Sequence, residues 1–177
     1  MLRFMSDIII RLATAADLPG VNAIYNHYVL TSTCTYQLEP ETEADRMKWF
    51  QAHGERHPAT VAELAGEVVG WASLSPHKAR AGYARTVEAS VYVRDDAHRR
   101  GIGRRLLLDL IDRAKTIGHH VVIGGACTSQ PASIALQESL GFVAVGTFRE
   151  VGYKFGRLLD VLYLQIVLSD KSHPATA

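Results

Sequence analysis

Val87-Glu88-Ala89-Ser90-Val91-Tyr92-Val93-Arg94-Asp95-Asp96-Ala97-His98-Arg99-Arg100-Gly101-Ile102-Gly103-Arg104-Arg105-Leu106 reads as a strand, a basic loop with two glycines and the start of an amphipathic helix. Strand alternation over Thr86 to Val93 puts Glu88, Ser90 and Tyr92 on one face and Ala89, Val91 and Val93 on the other. An acid, a hydroxyl and a phenol in one row form a candidate acid–base surface. The polar solvent face of an edge strand is the competing reading. Past the loop, Ile102, Leu106, Leu107, Leu110, Ile111 and Ala114 form one apolar stripe on a helix running from about Gly103 to Ile117, with Gly118 as its cap. Glycines let a backbone turn tightly, and a helix N-terminus offers unpaired N–H groups to an anion. Arg99, Arg100, Arg104 and Arg105 add positive charge where a phosphate would sit, although a helix start with solvated arginines gives the same pattern. A P-loop is excluded, because Arg104-Arg105 follows Gly103 where Lys-Ser/Thr is needed. A dinucleotide fingerprint fails at Leu106, where a third small residue is needed.

Working outward, Asp7 to Leu12 is a short β-branched strand. Thr14-Ala15-Ala16-Asp17 is a variant capping box opening a helix with Leu18, Val21, Ile24, Tyr25 and Tyr28 on one face. Thr42-Glu43-Ala44-Asp45 opens a second helix, with Gly54 as its stop. Ala59 to Leu64 and Val68 to Ser73 form a hairpin around Ala65-Gly66-Glu67. After the central strand and its helix, His119 to Gly124 is a strand and Pro131 to Leu140 a helix ended by Gly141. Phe142 to Val145 and Leu159 to Leu168 are strands separated by a Gly-containing excursion. The order β-α-α-β-β-β-α-β-α-β-β gives a mixed α/β domain whose hairpin forbids a wholly parallel sheet.

The 177 residues are expected to form one domain, 1–177, with a loose tail at 169–177. Apolar residues make up 47% and charged residues 21%, the balance of a globular protein. Nineteen Lys+Arg against eighteen Asp+Glu leave a charge of +1, so no global basic excess points to nucleic acid. Two cysteines make no disulfide framework, and no apolar run approaches a membrane span. A cytoplasmic location without membrane association is expected. Adjacent His119 and His120 would point to opposite faces of a strand, so no metal site is expected.

Four segments carry a resemblance to a known family. They are Ile24-Tyr25-Asn26-His27-Tyr28-Val29, Lys78-Ala79-Arg80, Val87 to Val93, and Gly152-Tyr153-Lys154-Phe155-Gly156-Arg157 through Asp160. With the turn around Gly101 and Gly103, they resemble the GCN5-related N-acetyltransferase (GNAT) superfamily, in its phosphinothricin and methionine sulfoximine N-acetyltransferase branch. The resemblance implies the GNAT fold: a mixed central β-sheet with a splayed pair of parallel strands flanked by helices. It further implies acetyl-CoA as donor, a small-molecule amine such as an amino acid as acceptor, and a homodimer. It places the pyrophosphate on His98, Arg99, Arg100, Gly101, Ile102, Gly103 and Arg104, and the pantetheine arm along Val91, Tyr92 and Val93, with Gln130 contributing.

By the same resemblance Glu88 is the general base, the Val91 N–H polarises the thioester carbonyl, and Tyr92 lines the pocket or orders water; Tyr92 as core packing is an equal reading. Lys78, Arg80 and Tyr83, with Arg85 nearby, suit an anionic acceptor held beside Glu88 and Ser90. Tyr36 matches an aromatic that closes the pocket, and Tyr153 and Lys154 are expected to contribute from the excursion, across a dimer interface. Departures are His98 at the first motif position, Gln130 for Asn, Gln137 for Tyr or His, and Cys127 for an acid. Gln137 cannot protonate a leaving thiolate. Cys127 as a covalent nucleophile is weighed against a small buried residue, with the second favoured. Acetylation of another amine (a polyamine, aminoglycoside or protein N-terminus) and a non-catalytic CoA-binding module remain the alternatives.

Overall fold

The structure, a computed structural model, describes residues 8–168. Asp7 at the start of the expected first strand and the tail at 169–177 lie outside the described residues. Among those described, seven strands form one sheet flanked by four α-helices: β1 (Ile9–Leu12), α1 (Leu18–Thr31), α2 (Glu43–Gln51), β2 (Ala59–Leu64), β3 (Glu67–Pro76), β4 (Thr86–Val93), α3 (Ile102–Ile117), β5 (Val121–Cys127), α4 (Pro131–Glu138), β6 (Val143–Lys154) and β7 (Arg157–Val167). The strand order is β1-β2-β3-β4-β5-β7-β6, and every neighbouring pair is antiparallel except β4 with β5.

Local chemistry explains the helix starts. Ahead of α1, the Thr14 backbone N–H donates to Asp17 Oδ2 at 2.7 Å, and Arg11 holds the same carboxylate at 2.7 and 2.8 Å. These hydrogen bonds, Arg11's first, hold the buried Asp17 carboxyl down at about 2 against the opposing effect of burial. At α2, Thr42 Oγ1 accepts from the Asp45 N–H at 3.1 Å while Asp45 reaches back to the Thr42 N–H at 3.3 Å. The α3 stripe is buried as expected against β3 and β4, and Gly118 closes the helix in the left-handed region at φ 91°.

Several expected boundaries move. α2 ends at Gln51, and Gly54 instead exchanges backbone hydrogen bonds with His57 in a separate turn. β5 starts at Val121 and runs on to Cys127, and just before it His119 is buried with Nε2 2.7 Å from Arg56 O. α4 stops at Glu138, short of Leu140. The excursion before the last strand is itself strand: β6 continues to Lys154 and turns at Phe155-Gly156. Two irregularities in its register, between Ala144 and Gly146 and between Phe148 and Gly152, break the alternation that would have revealed it.

Candidate active site

β4 lies between β3 and β5, so the row of Glu88, Ser90 and Tyr92 does not belong to an edge strand. β3 pairs with β4 from Pro76↔Val87 to Gly70↔Val93. β5 pairs only at Thr86↔Val121, Val87↔Val122 and Glu88↔Ile123. Beyond Glu88 the two parallel strands part, and β5 continues along β7 as far as Cys127↔Val161. From Ala89 to Val93 the β5-facing side of β4 has no ladder partner among the described residues. Glu88 stands at the fork.

The two faces of β4 divide as the alternation requires. Val87 is buried, and Ala89, Val91 and Val93 join it against the α3 side of the core. On the other face Tyr92 stacks on Trp71 at 4.7 Å and meets Tyr25 edge-on at 5.3 Å, and burial pushes its phenol up. Tyr92 is therefore part of the packed wall.

The loop after β4 curls through two left-handed residues, Arg99 at φ 61° and Gly101 at φ 75°, before α3 begins at Ile102. Space does not select glycine at Gly101, since an added Cβ would meet nothing within 4 Å; the backbone angle does. Arg99, Arg100, Arg104 and Arg105 are exposed around this turn. His98 behaves differently. Its Nε2 lies 3.0 Å from Val93 O and 2.9 Å from the Tyr28 hydroxyl, so that nitrogen braces the turn from behind instead of facing outward with the arginines. Tyr28 also donates to Asp95 Oδ1 at 2.7 Å, and His27 Nε2 lies 2.6 Å from Asp95 Oδ2; these bonds, Tyr28's first, lower the Asp95 carboxyl.

Lys78, Arg80 and Tyr83 line one cleft of about 240 Å³ with Arg56, His57 and Thr86. Lys78 Nζ sits 5.0 Å above the Tyr83 ring. Thr86 precedes Glu88 by one two-residue step on the same strand face, which puts this cationic cleft beside the fork. Ser90 faces the buried Ser73 across the ladder. Tyr36 is elsewhere: its ring lies against Gly152 of β6 so closely that an added Cβ there would clash, and burial first, then the nearby Cys127 thiol at the end of β5, push its phenol up. It walls the β5 side of the fork, and Lys78 and Arg80 the β3–β4 side.

The departures have definite positions. Gln130 Nε2 donates to Thr33 Oγ1 at 3.0 Å and Ser32 Oγ at 3.2 Å, tying the start of α4 to the loop after α1. Gln137 is buried over Gly124, and its Oε1 has no hydrogen-bond partner. Cys127 is buried too. Burial raises its thiol, but hydrogen bonds from Ser129, Tyr36 and Thr33 outweigh that and lower it. Lys154 requires a correction: its ammonium is buried within the chain's own fold and donates to Ser32 O at 2.7 Å and Thr35 O at 2.8 Å, so it does not cross to another copy. Burial lowers its pKa.

Two features escaped the sequence reading. Arg46 of α2, 1% exposed, sits over the rings of Tyr25, Trp49 and Trp71 at 4.6, 4.8 and 5.4 Å and reaches Glu41 at 2.6 Å. Its position under an aromatic cage could have been suspected only from the spacing of Tyr25, Trp49 and Trp71, which are distant in sequence. His77 Nδ1 lies 2.6 Å from Glu88 Oε1, and a single histidine after Pro76 gives no pattern to read.

This geometry agrees with comparisons to known proteins. The Acetyltransferase (GNAT) family pattern matches residues 21–142, well over half of the chain. The L-methionine sulfoximine/L-methionine sulfone acetyltransferase of Pseudomonas paraeruginosa is 44% identical over 90% of this chain and 94% of that one. The L-amino acid N-acyltransferase MnaT of Escherichia coli is 39% identical over 93% and 96%. A crystal structure of a phosphinothricin acetyltransferase from Sinorhizobium meliloti in complex with acetyl-CoA superposes with a TM-score of 0.88, at 34% identity over 93% and 90% of the two chains. With its forked parallel pair and glycine turn, this chain belongs to the GNAT family and is an N-acetyltransferase.

Proposed function

We propose that this N-acetyltransferase moves acetyl from acetyl-CoA to the α-amino group of a small L-amino acid or an analogue such as methionine sulfoximine or phosphinothricin, with Glu88 as general base. The observation that carries the reading is the position of Glu88 where β4 and β5 part, between an unpaired strand edge and a cationic cleft. Acetyl-CoA supplies an activated thioester. The left-handed turn at Arg99 and Gly101, the α3 N-terminus and the surrounding arginines suit its pyrophosphate, and the free edge of β4 at Val91 to Val93 suits the amide-bearing arm as an added strand would. In this reading the Val91 N–H donates to the thioester oxygen, and Arg104, Ile102, Gly103 and Arg100 complete the turn. His98 acts by fixing the turn through Val93 and Tyr28, and Gln130 by fixing the neighbouring wall.

An α-amino group has a reference pKa of about 8 and arrives mostly as ammonium at neutral pH, so attack requires removal of a proton. Glu88 takes it. Lys78 and Arg80, with Tyr83, hold the acceptor's carboxylate in the cleft beside Thr86, Ser90 lines the floor, and Tyr36 closes the opposite side. This cleft carries cations, which disfavours polyamines and aminoglycosides. Gln137 supplies no proton, so water protonates the departing thiolate. The same reading includes a homodimer through the outer arm of the sheet: Val145, Phe148, Val151, Tyr153, Phe155 and Leu158, on or between β6 and β7, are each more than half exposed.

The test is acetyl-CoA-dependent thiol release with L-methionine sulfoximine, L-phosphinothricin, the standard L-amino acids, spermidine and an aminoglycoside. Turnover confined to the amino acids and their analogues is expected. Turnover with spermidine alone, or acetyl-CoA binding without turnover on any acceptor, overturns the proposed acceptor class. Light scattering on the same preparation reads the oligomeric state.

A further inference from the structure

We propose that His77 is a positioning residue for Glu88, locking one oxygen of the base and leaving the other for the acceptor amine; this rests on the reading of Glu88 as base given above. The geometry follows from the β3–β4 register. Ser75 lies directly opposite Glu88, and Pro76 opposite Val87. Beyond the ladder the His77 N–H donates to Thr86 O at 3.3 Å, so His77 is the diagonal neighbour of Glu88 on the same sheet face. Small Ser75 leaves the imidazole free to lean over it, and Nδ1 comes to 2.6 Å from Glu88 Oε1.

The contact needs explaining because the carboxylate is otherwise loosely held. The Glu88 side chain is 45% exposed, and an exposed glutamate samples several rotamers. A general base must keep an oxygen within hydrogen-bond reach of the proton it takes. His77 is itself fixed: its side chain is 21% exposed, its ring lies edge-on to Tyr83 at 5.7 Å, and Tyr83 is covered by the Lys78 ammonium. A carboxylate accepts and does not donate, so Nδ1 carries the hydrogen and Nε2 is left unprotonated in the neutral ring. Lys78, Tyr83, His77 and Glu88 thus form a chain from the cationic cleft to the fork, and the cleft's occupant and the base are oriented by the same loop.

His77→Leu and His77→Asn separate positioning from packing. Leucine fills the space of the ring without a donor, whereas asparagine is smaller but places an N–H close to the position of Nδ1. Kinetics on the best amino-acid acceptor are expected to show kcat about tenfold lower in His77→Leu and within about threefold of wild type in His77→Asn, since small misplacements of a reacting group are costly. KM for acetyl-CoA is expected to be unchanged in both. The reverse order, with leucine tolerated and asparagine impaired, assigns His77 to packing and overturns the proposal. Long-range proton–nitrogen NMR gives a readout independent of turnover. The wild-type ring is expected as the Nδ1–H tautomer, reverting to the Nε2–H form in Glu88→Ala. An Nε2–H ring in the wild type overturns the pairing, whereas a correct tautomer in a protein that acetylates no amino acid overturns the acceptor reading instead.

Discussion

The two faces of β4 are built on different principles. Toward α3, Val87, Leu106, Leu110 and Ala114 are aliphatic or small and fully buried, and their shape is the whole of their contribution. Toward α1 and α2, Tyr25, Trp71 and Tyr92 interlock with a buried arginine, hydroxyls accept and donate at fixed angles, and Glu88 stands at the end of the row. Both faces contribute to the stability of the sheet, but only the second also sets where its polar atoms are held. Substitutions on the two faces should therefore fail in different ways.

Glu88→Gln is expected to give the largest effect: kcat down by about 10²–10⁴-fold, the usual contribution of a general base. Acetyl-CoA affinity by calorimetry and the thermal midpoint should stay as in the wild type, and an unchanged kcat would remove Glu88 from the chemistry. Arg46→Ala comes next, on the aromatic face. It leaves Glu41 without its partner and empties the space between Tyr25, Trp49 and Trp71, so urea titration should show a loss of about 3–5 kcal/mol. Turnover should fall as well, because the wall behind the fork loosens. Leu106→Ala, on the aliphatic face, should cost about 3 kcal/mol in the same titration while kcat measured well below the midpoint stays near wild type. Loss of kcat there, without unfolding, would contradict the division between the faces.

Asp17→Asn is expected to give the smallest effect, and that effect depends on pH. A folded-state carboxyl at about 2 against an ordinary 3.8 means that Asp17 contributes stability fully above the ordinary value, and the contribution disappears as pH falls through about 2. The variant should therefore lose about 2 kcal/mol at pH 7, and the gap to wild type should close progressively on acidification below pH 4. A gap that persists undiminished at pH 2 would assign the loss to packing instead of charge.

The aliphatic face was legible in the sequence because alternation of two and periodicity of 3.6 are repeated signals. Thr86–Val93 and Ile102–Ile117 emerge almost residue for residue. The aromatic face was legible only in part. Tyr25, Tyr28 and Tyr92 could be placed on their elements, but Arg46 sits among Glu43, Asp45 and Lys48 on α2 and reads as one more solvated charge. His77 carries no periodic signal, since its meaning comes from a cross-strand diagonal. Only the start of β6, to Val145, is legible, and its continuation is hidden for a third reason: Gly146, Gly152 and the left-handed Glu150 at φ 56° look like loop, yet they bend a continuous ladder with β7. The fork itself was expected from resemblance, and no residue pattern announces that parallel pairing stops after three residues.

The burial of Lys154 has a consequence for the order in which the protein is made. Its ammonium holds the carbonyls of Ser32 and Thr35, and the loop so held also carries the partners of Gln130 and Cys127's neighbour Ser129. Lys154 lies 122 positions after Ser32, so Ser32, Thr35 and Glu88 all leave the ribosome long before this loop can be secured. The strand that carries Glu88 and the glycine turn are thus synthesised while one wall of the fork is still unfastened, and that wall is secured only with the final hairpin. Translation arrested before Lys154 should yield a chain in which the loop after α1 lacks the ammonium that holds the carbonyls of Ser32 and Thr35.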